Sequence, residues 1–169
     1  MIKKLLFMLI FLGNVILGAS VSSGIGMLAM SMKGNSSVPN QVVSYGLGLV
    51  NDFSYEKNKK MQLSIYYQST QNGGQMVLDE LVFKTGLVRN IAPRIAYGIG
   101  IQLNHVLDSD FNGTLFPSSG IGVYVLGSYQ LWPQFRGVIE LASLSYSFVD
   151  SYSSSLISSG IRFGFSTNL

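Results

Sequence analysis

A chain of 169 residues in which 47% are apolar and only 11% charged is too hydrophobic to be disordered. It is also too poor in charge to cover a soluble domain, whose charged share is about 25%. With no cysteine, one histidine and eight acidic side chains, disulfide frameworks and thiolate metal sites are excluded, and catalytic chemistry is short of parts.

The first twenty residues have three parts. Lys3 and Lys4 precede the unbroken apolar run Leu5 to Leu12, and the small residues Gly18, Ala19 and Ser20 close the segment. This is the layout of a secretory signal peptide, 1–20, cut after Ala19 or Ser20. The run is shorter than the roughly 20 apolar residues of a helical span and is interrupted by Gly13 and Asn14, which argues against a retained anchor. No cysteine follows, so a lipid-anchored product is excluded. Beyond residue 20 the formal charge falls from +3 to +1, because nine basic and eight acidic side chains remain. That balance supplies no basic face for nucleic acid.

Residues 21–169 form one domain without a repeat. Eight runs with a period of two, the strand signal, cover 24–33, 41–53, 60–69, 76–88, 93–106, 120–131, 135–148 and 155–166. The first, Met-rich run has no clear parity. Met61, Leu63, Ile65 and Tyr67 mark the third, and Leu81, Phe83, Thr85 and Leu87 the fourth. In the fifth, Ile95 to Leu103 alternate with Arg94, Ala96, Gly98, Gly100, Gln102 and Asn104. In the seventh, the apolar parity changes from Ile139 and Leu141 to Leu144, Tyr146 and Phe148, so a bulge is expected. Turn-rich segments separate the runs, as consecutive hairpins require.

Alternation fits a soluble barrel, apolar inside, or a membrane barrel, apolar outside. The second parity decides, because it carries mainly Gly, Ala, Ser, Gln and Asn where a wetted surface would carry dense charge. Small side chains suit the narrow inside of an eight-stranded barrel, and runs of about ten residues suit a tilted transmembrane strand. The fold expected is an all-β, eight-stranded antiparallel up-and-down transmembrane barrel. The pairs Gly24/Gly26, Gly46/Gly48, Gly98/Gly100 and Gly120/Gly122 then supply lumen space. None opens a helix, so none reads as a nucleotide loop or a cofactor site.

Charge and aromatics follow the same frame. Glu80, Lys84, Arg94, Arg136, Glu140 and Arg162 lie on the inward parity and form an expected lumen charge network, with Arg162 beside Glu140 across the last hairpin. A cation facing lipid at mid-depth would cost about 2–4 kcal/mol. Phe53, Tyr55, Trp132 and Phe135 fall near the strand ends on the side of the termini, and Tyr146 and Phe148 near the opposite ends. They are expected to form two interface girdles.

The last run contains Ser158, Gly160, Phe163 and Phe165 in the order polar, x, Gly, x, x, aromatic, x, aromatic. It resembles the assembly signal of bacterial outer-membrane barrels, and residues 21–169 resemble the small OmpA/OmpX-type eight-stranded barrels. Here Ser166 to Leu169 follow the final aromatic, where such chains usually end, and this tail is expected to be dispensable. The resemblance implies a Gram-negative surface protein exported through the periplasm to the outer membrane. It implies contact with outer-membrane lipid and lipopolysaccharide, and with the barrel-assembly machinery during biogenesis. A monomer is expected.

His105, Asp108 and Asp110 cluster where the fifth run ends. Lipid A deacylase barrels carry His and Ser two apart on one strand, whereas Leu107 stands two after His105. Asp108, Asp110 and Asn112 alternate as calcium ligands do, but lack the later bidentate Glu. No catalytic, cofactor or metal site is therefore assigned. The reading is a structural or surface-interaction barrel with a plugged lumen; a small gated pore stands second and a lipid A-modifying enzyme third.

Overall fold

The computed structural model describes residues 19–32, 39–110, 117–148 and 155–168. Eight strands follow one another: β1 (Ala19–Met32), β2 (Gln41–Glu56), β3 (Lys59–Asn72), β4 (Gln75–Ala92), β5 (Ile95–Ser109), β6 (Pro117–Trp132), β7 (Phe135–Phe148) and β8 (Ser155–Asn168). Each pairs antiparallel with its neighbours, and β8 pairs with β1, so the sheet closes as a barrel. Every expected run is a strand, and several extend past the expected ends. At the end of the barrel that holds the chain termini, the connections are the two-residue turns 57–58, 93–94 and 133–134. At the other end, β3 and β4 join through Gly73 and Gly74, with φ of 58° and 86°. Positive φ at both central residues is the condition for the tightest hairpin turn, and glycine meets it without a Cβ clash.

The register fixes the size of the barrel. Partners traced from Ala19 through Asn51, Leu63, Thr85, Ile101, Val123, Ser143 and Ser159 return to β1 at Ala29, a shear of ten residues. With ordinary strand rise and spacing, eight strands at that shear tilt by about 40° and enclose a backbone radius of about 8 Å. Such a lumen holds side chains and little else.

The outer face is apolar: Leu47, Ile99, Ile121, Val123 and Leu141 are exposed, whereas Tyr124, Gln102 and Glu80 on the alternate parity are buried. The inward side chains form layers. Leu28, Met30, Val42, Leu78, Leu144 and Leu156 are all buried at the loop end. Hydrogen-bonding and charged groups fill the middle, and Val88, Ala96 and Leu126 lie buried nearer the turns. Glycines make room for the rings. A Cβ at Gly100 would stand 2.6 Å from the Tyr124 ring, and one at Gly120 2.8 Å from that of Tyr146.

Three expectations are corrected. β1 begins at Ala19, not at residue 24, so its ladder includes the last two residues of the expected leader. β7 has no bulge: its pairing with β8 is continuous from Phe135 to Ser147, with Ser143 and Ser145 outward and Leu144 and Tyr146 inward. The parity change arose because the lumen is itself apolar at that height, so hydrophobicity no longer marks the outer face. The tail after Phe165 is not an overhang either. Ser166, Thr167 and Asn168 pair with Ser22, Val21 and Ser20 and help close the barrel.

Candidate functional site: the lumen network and the outer girdles

The four buried charges of the lumen come from three strands. β4 projects Lys84 and Glu80 inward four residues apart, so they share one face. β7 supplies Glu140, and β8 supplies Arg162 as its register partner. Lys84 Nζ crosses the lumen and donates to Glu140 Oε1 at 2.5 Å and Oε2 at 2.7 Å. Arg162 Nη1 donates to the same carboxylate at 3.3 Å. The Lys84 ammonium also sits 5.1 Å from the Tyr66 ring centre and 5.3 Å from that of Tyr124, where ring quadrupoles attract a cation.

Glu80 is held differently. Tyr146 Oη donates to it at 2.7 Å, Asn104 Nδ2 at 2.8 Å and Gln68 Nε2 at 3.2 Å. Gln68 in turn accepts from Arg162 through Oε1. One amide thus links the Arg162–Glu140–Lys84 group to Glu80, and the four ionic groups, two of each sign, balance. Toward the turns, Asp52 accepts from Gln62 at 2.9 Å and from Lys60 and Arg136 at 3.4 Å each. Cavities of about 50 Å³ and 40 Å³ adjoin Lys84, Glu140 and Arg136, each large enough for water.

Of the six expected lumen charges, Glu80, Lys84, Arg136, Glu140 and Arg162 face inward. Arg94 does not. Pro93 and Arg94 form the tight turn before β5, which starts at Ile95, and Arg94 is exposed there. Sequence reasoning missed Gln68, Asn104, Tyr66, Tyr124 and Asp52. Inward parity is the available signal for all five, and for Asp52 its charge as well.

The girdle at the turn end gathers Trp132, Phe135 and Phe165. Phe135 stacks on Phe165 at 5.2 Å between ring centres, and Trp132 tilts against Phe135 at 5.8 Å. Phe163 and Tyr55 are exposed and Phe53 is half-buried. Tyr146 is no girdle residue: it is buried in the lumen against Glu80. Phe148 ends β7, and its side chain lies outside the described residues, as do Asn112 and residues 1–18. At the loop end the exposed tyrosines Tyr45 and Tyr67 take the girdle position, and Tyr67 Oη donates to Asp79 at 2.7 Å. Within the assembly-signal pattern, Ser158 is buried inward, Gly160 packs against β1, and Phe163 and Phe165 face outward.

His105 points outward at the loop end of β5, opposite Ser119 in the register. Among the described residues no hydrogen bond joins the two, and Ser119 Oγ instead lies 3.5 Å from Ser147 Oγ. Among the described residues no three His, Asp or Glu side chains are gathered as for a metal ion.

No family model and no curated protein sequence matches the chain. Among solved structures it is similar to the Neisserial surface protein A, with TM-score 0.54 and 12% identity over 90% of this chain and 97% of that one. The attachment invasion locus protein of Yersinia pestis gives TM-score 0.45 and 13% identity over 88% and 97%. OprG of Pseudomonas aeruginosa gives 0.43 and 11% over 90% and 96%. The fold is that of the small eight-stranded outer-membrane β-barrels. The closed topology, the apolar exterior and the likeness to Neisserial surface protein A support it.

Proposed function

We propose that the protein is a non-enzymatic surface barrel of the bacterial outer membrane, with a lumen closed to ions and with its loop-end connections presented to the exterior. In this reading the leader is removed in export, the short turns face the periplasm, and lipopolysaccharide surrounds the loop end. The assembly machinery engages β8, and the barrel acts as a monomer. The observation that carries it is the buried layer of Leu28, Met30, Val42, Leu78, Leu144 and Leu156 across the loop end of the lumen. An ion entering that layer would exchange its hydration for little more than the hydroxyls of Thr70 and Ser158, buried beside Leu78 and Met30. The mainly apolar layer is therefore the barrier, and the ion pairs below it hold the walls together.

A small pore is the second reading, favoured by the polar middle of the lumen and its two cavities. Planar-bilayer recording separates them. The unmodified protein should give no steady conductance, whereas Leu78→Ser with Leu156→Ser should admit transient openings. Reproducible conductance from the unmodified protein would put the pore first.

A further inference from the structure

Among the described residues, charge is sorted along the barrel axis. Asp79, Asp108 and Asp110 lie at the loop end, the four buried lumen charges balance, and Lys57, Lys59, Arg89 and Arg94 surround the turns 57–58 and 93–94. Glu56 is the acidic side chain among those four cations, so this half of the rim has a surplus of three positive charges. Lys59 and Arg89 are register partners on β3 and β4. Like charges directly opposite each other repel, and a bound anion between them would remove that cost. Glu56 reaches Lys59 at 2.6 Å, with both side chains about half exposed. Among the described residues no carboxylate lies within ion-pair distance of Lys57, Arg89 or Arg94.

Height identifies the anion. Arg89 follows the exposed Leu87 by one outward position, and its register partner is the exposed Tyr97. It is the first outward cation at the turn edge of the apolar band, with the exposed Ile91 and Ile95 one outward position beyond it, and its long side chain can extend to headgroup phosphates. The other half of the rim carries Trp132, Phe135 and Phe165, and its cation Arg136 is turned inward to Asp52.

We propose that the Lys57, Lys59, Arg89 and Arg94 half of the rim binds the phosphate of an anionic phospholipid in the inner leaflet of the outer membrane. The inner-leaflet assignment rests on the orientation proposed above, whereas the preference for anionic lipid does not. Guanidinium groups present paired N–H donors to phosphate oxygens, and two-residue turns hold these side chains on short, fixed backbone.

The test refolds the protein into phosphatidylcholine vesicles with trace spin-labelled phosphatidylglycerol or spin-labelled phosphatidylcholine, and reads the motionally restricted fraction of each by electron paramagnetic resonance. Phosphatidylglycerol should associate roughly threefold or more in excess of phosphatidylcholine at low salt, with the excess lost near 1 M salt. Arg89→Gln with Arg94→Gln should bring the ratio close to one, whereas Trp132→Leu should leave it unchanged. Lys57→Gln, at an exposed turn, should lower it partly and serves if the double variant folds poorly. Equal association in the unmodified protein, or an unchanged ratio in the variants, would overturn the proposal. External trypsin cutting at Lys57 in intact cells would overturn the inner-leaflet assignment even with the lipid preference intact.

Discussion

Glu140 is the acceptor on which two buried cations converge, so its removal differs from the loss of a surface pair. Replacing it with alanine leaves Lys84 and Arg162 together in the lumen with no carboxylate between them. Breaking a buried pair from one side costs about 3–5 kcal/mol, and that loss is expected for Glu140→Ala in urea unfolding from vesicles. The partners are not equivalent in rescue. Lys84 is more deeply buried and makes the shorter contacts, whereas Arg162 keeps Gln68 as an acceptor. Lys84→Met with Glu140→Leu should therefore recover more stability than Arg162→Ala with Glu140→Ala. The reverse order would mean that Arg162, the register neighbour that sequence alone picks out, is the dominant partner. A parallel test lies at Glu80: Tyr146→Phe removes one of three donors to a buried carboxylate and should cost about 1.5–3 kcal/mol. A change within the error of unfolding would show that Asn104 and Gln68 suffice.

At the scale of the strand, β8 closes the barrel with more of its length than its motif suggests. Its last residues pair with Ser20, Val21 and Ser22 of β1, and Thr167 also pairs with Phe135 of β7. Deleting residues 166–169 should therefore lower the folded fraction, measured by heat-dependent gel mobility, as replacing Phe163 and Phe165 with Ser should. Normal folding of the truncated chain would return these residues to the status of an overhang. Strand number and order, and the parity of runs such as the third, fourth and fifth, were legible in the sequence because one face had to be apolar and the other small. The β7 bulge was misread for a physical reason: Leu144 and Tyr146 are apolar because they fill the lumen. Arg94 shares the inward parity of Ala96 and Gln102, but it falls in the turn before β5 starts at Ile95, beyond the end of the lumen, so alternation no longer sets its direction. The ion pair Lys84–Glu140 was out of reach for a different reason. It spans the lumen between non-adjacent strands, and hairpin counting places only neighbours such as Glu140 and Arg162.

On the scale of the whole molecule, the apolar band sets which membrane the barrel fits. Along β5 the outward apolar side chains run from Ile95 through Tyr97, Ile99 and Ile101 to Leu103, with the polar His105 next. At about 40° of tilt each residue advances the chain about 2.5 Å along the axis, so this band is about 20 Å tall. Tyr45 and Tyr67 bound it on the loop side, and Arg89 and Lys59 lie at its turn edge, where the exposed Ile91 also sits. A typical hydrocarbon core is about 30 Å thick, and mismatch costs a fraction of a kcal/mol for each ångström. Spontaneous folding from urea should thus proceed to a higher yield in vesicles of ten- or twelve-carbon phosphatidylcholines than in those of eighteen-carbon lipids. The yield should fall steadily with chain length, because each added carbon forces Arg89 and His105 deeper into the hydrocarbon. Gel mobility of unheated samples across the lipid series measures it. Equal yields in thin and thick bilayers would mean that the band reaches beyond His105 to Leu107, and that the loop-end serines Ser143 and Ser145 lie within the hydrocarbon and not at its edge.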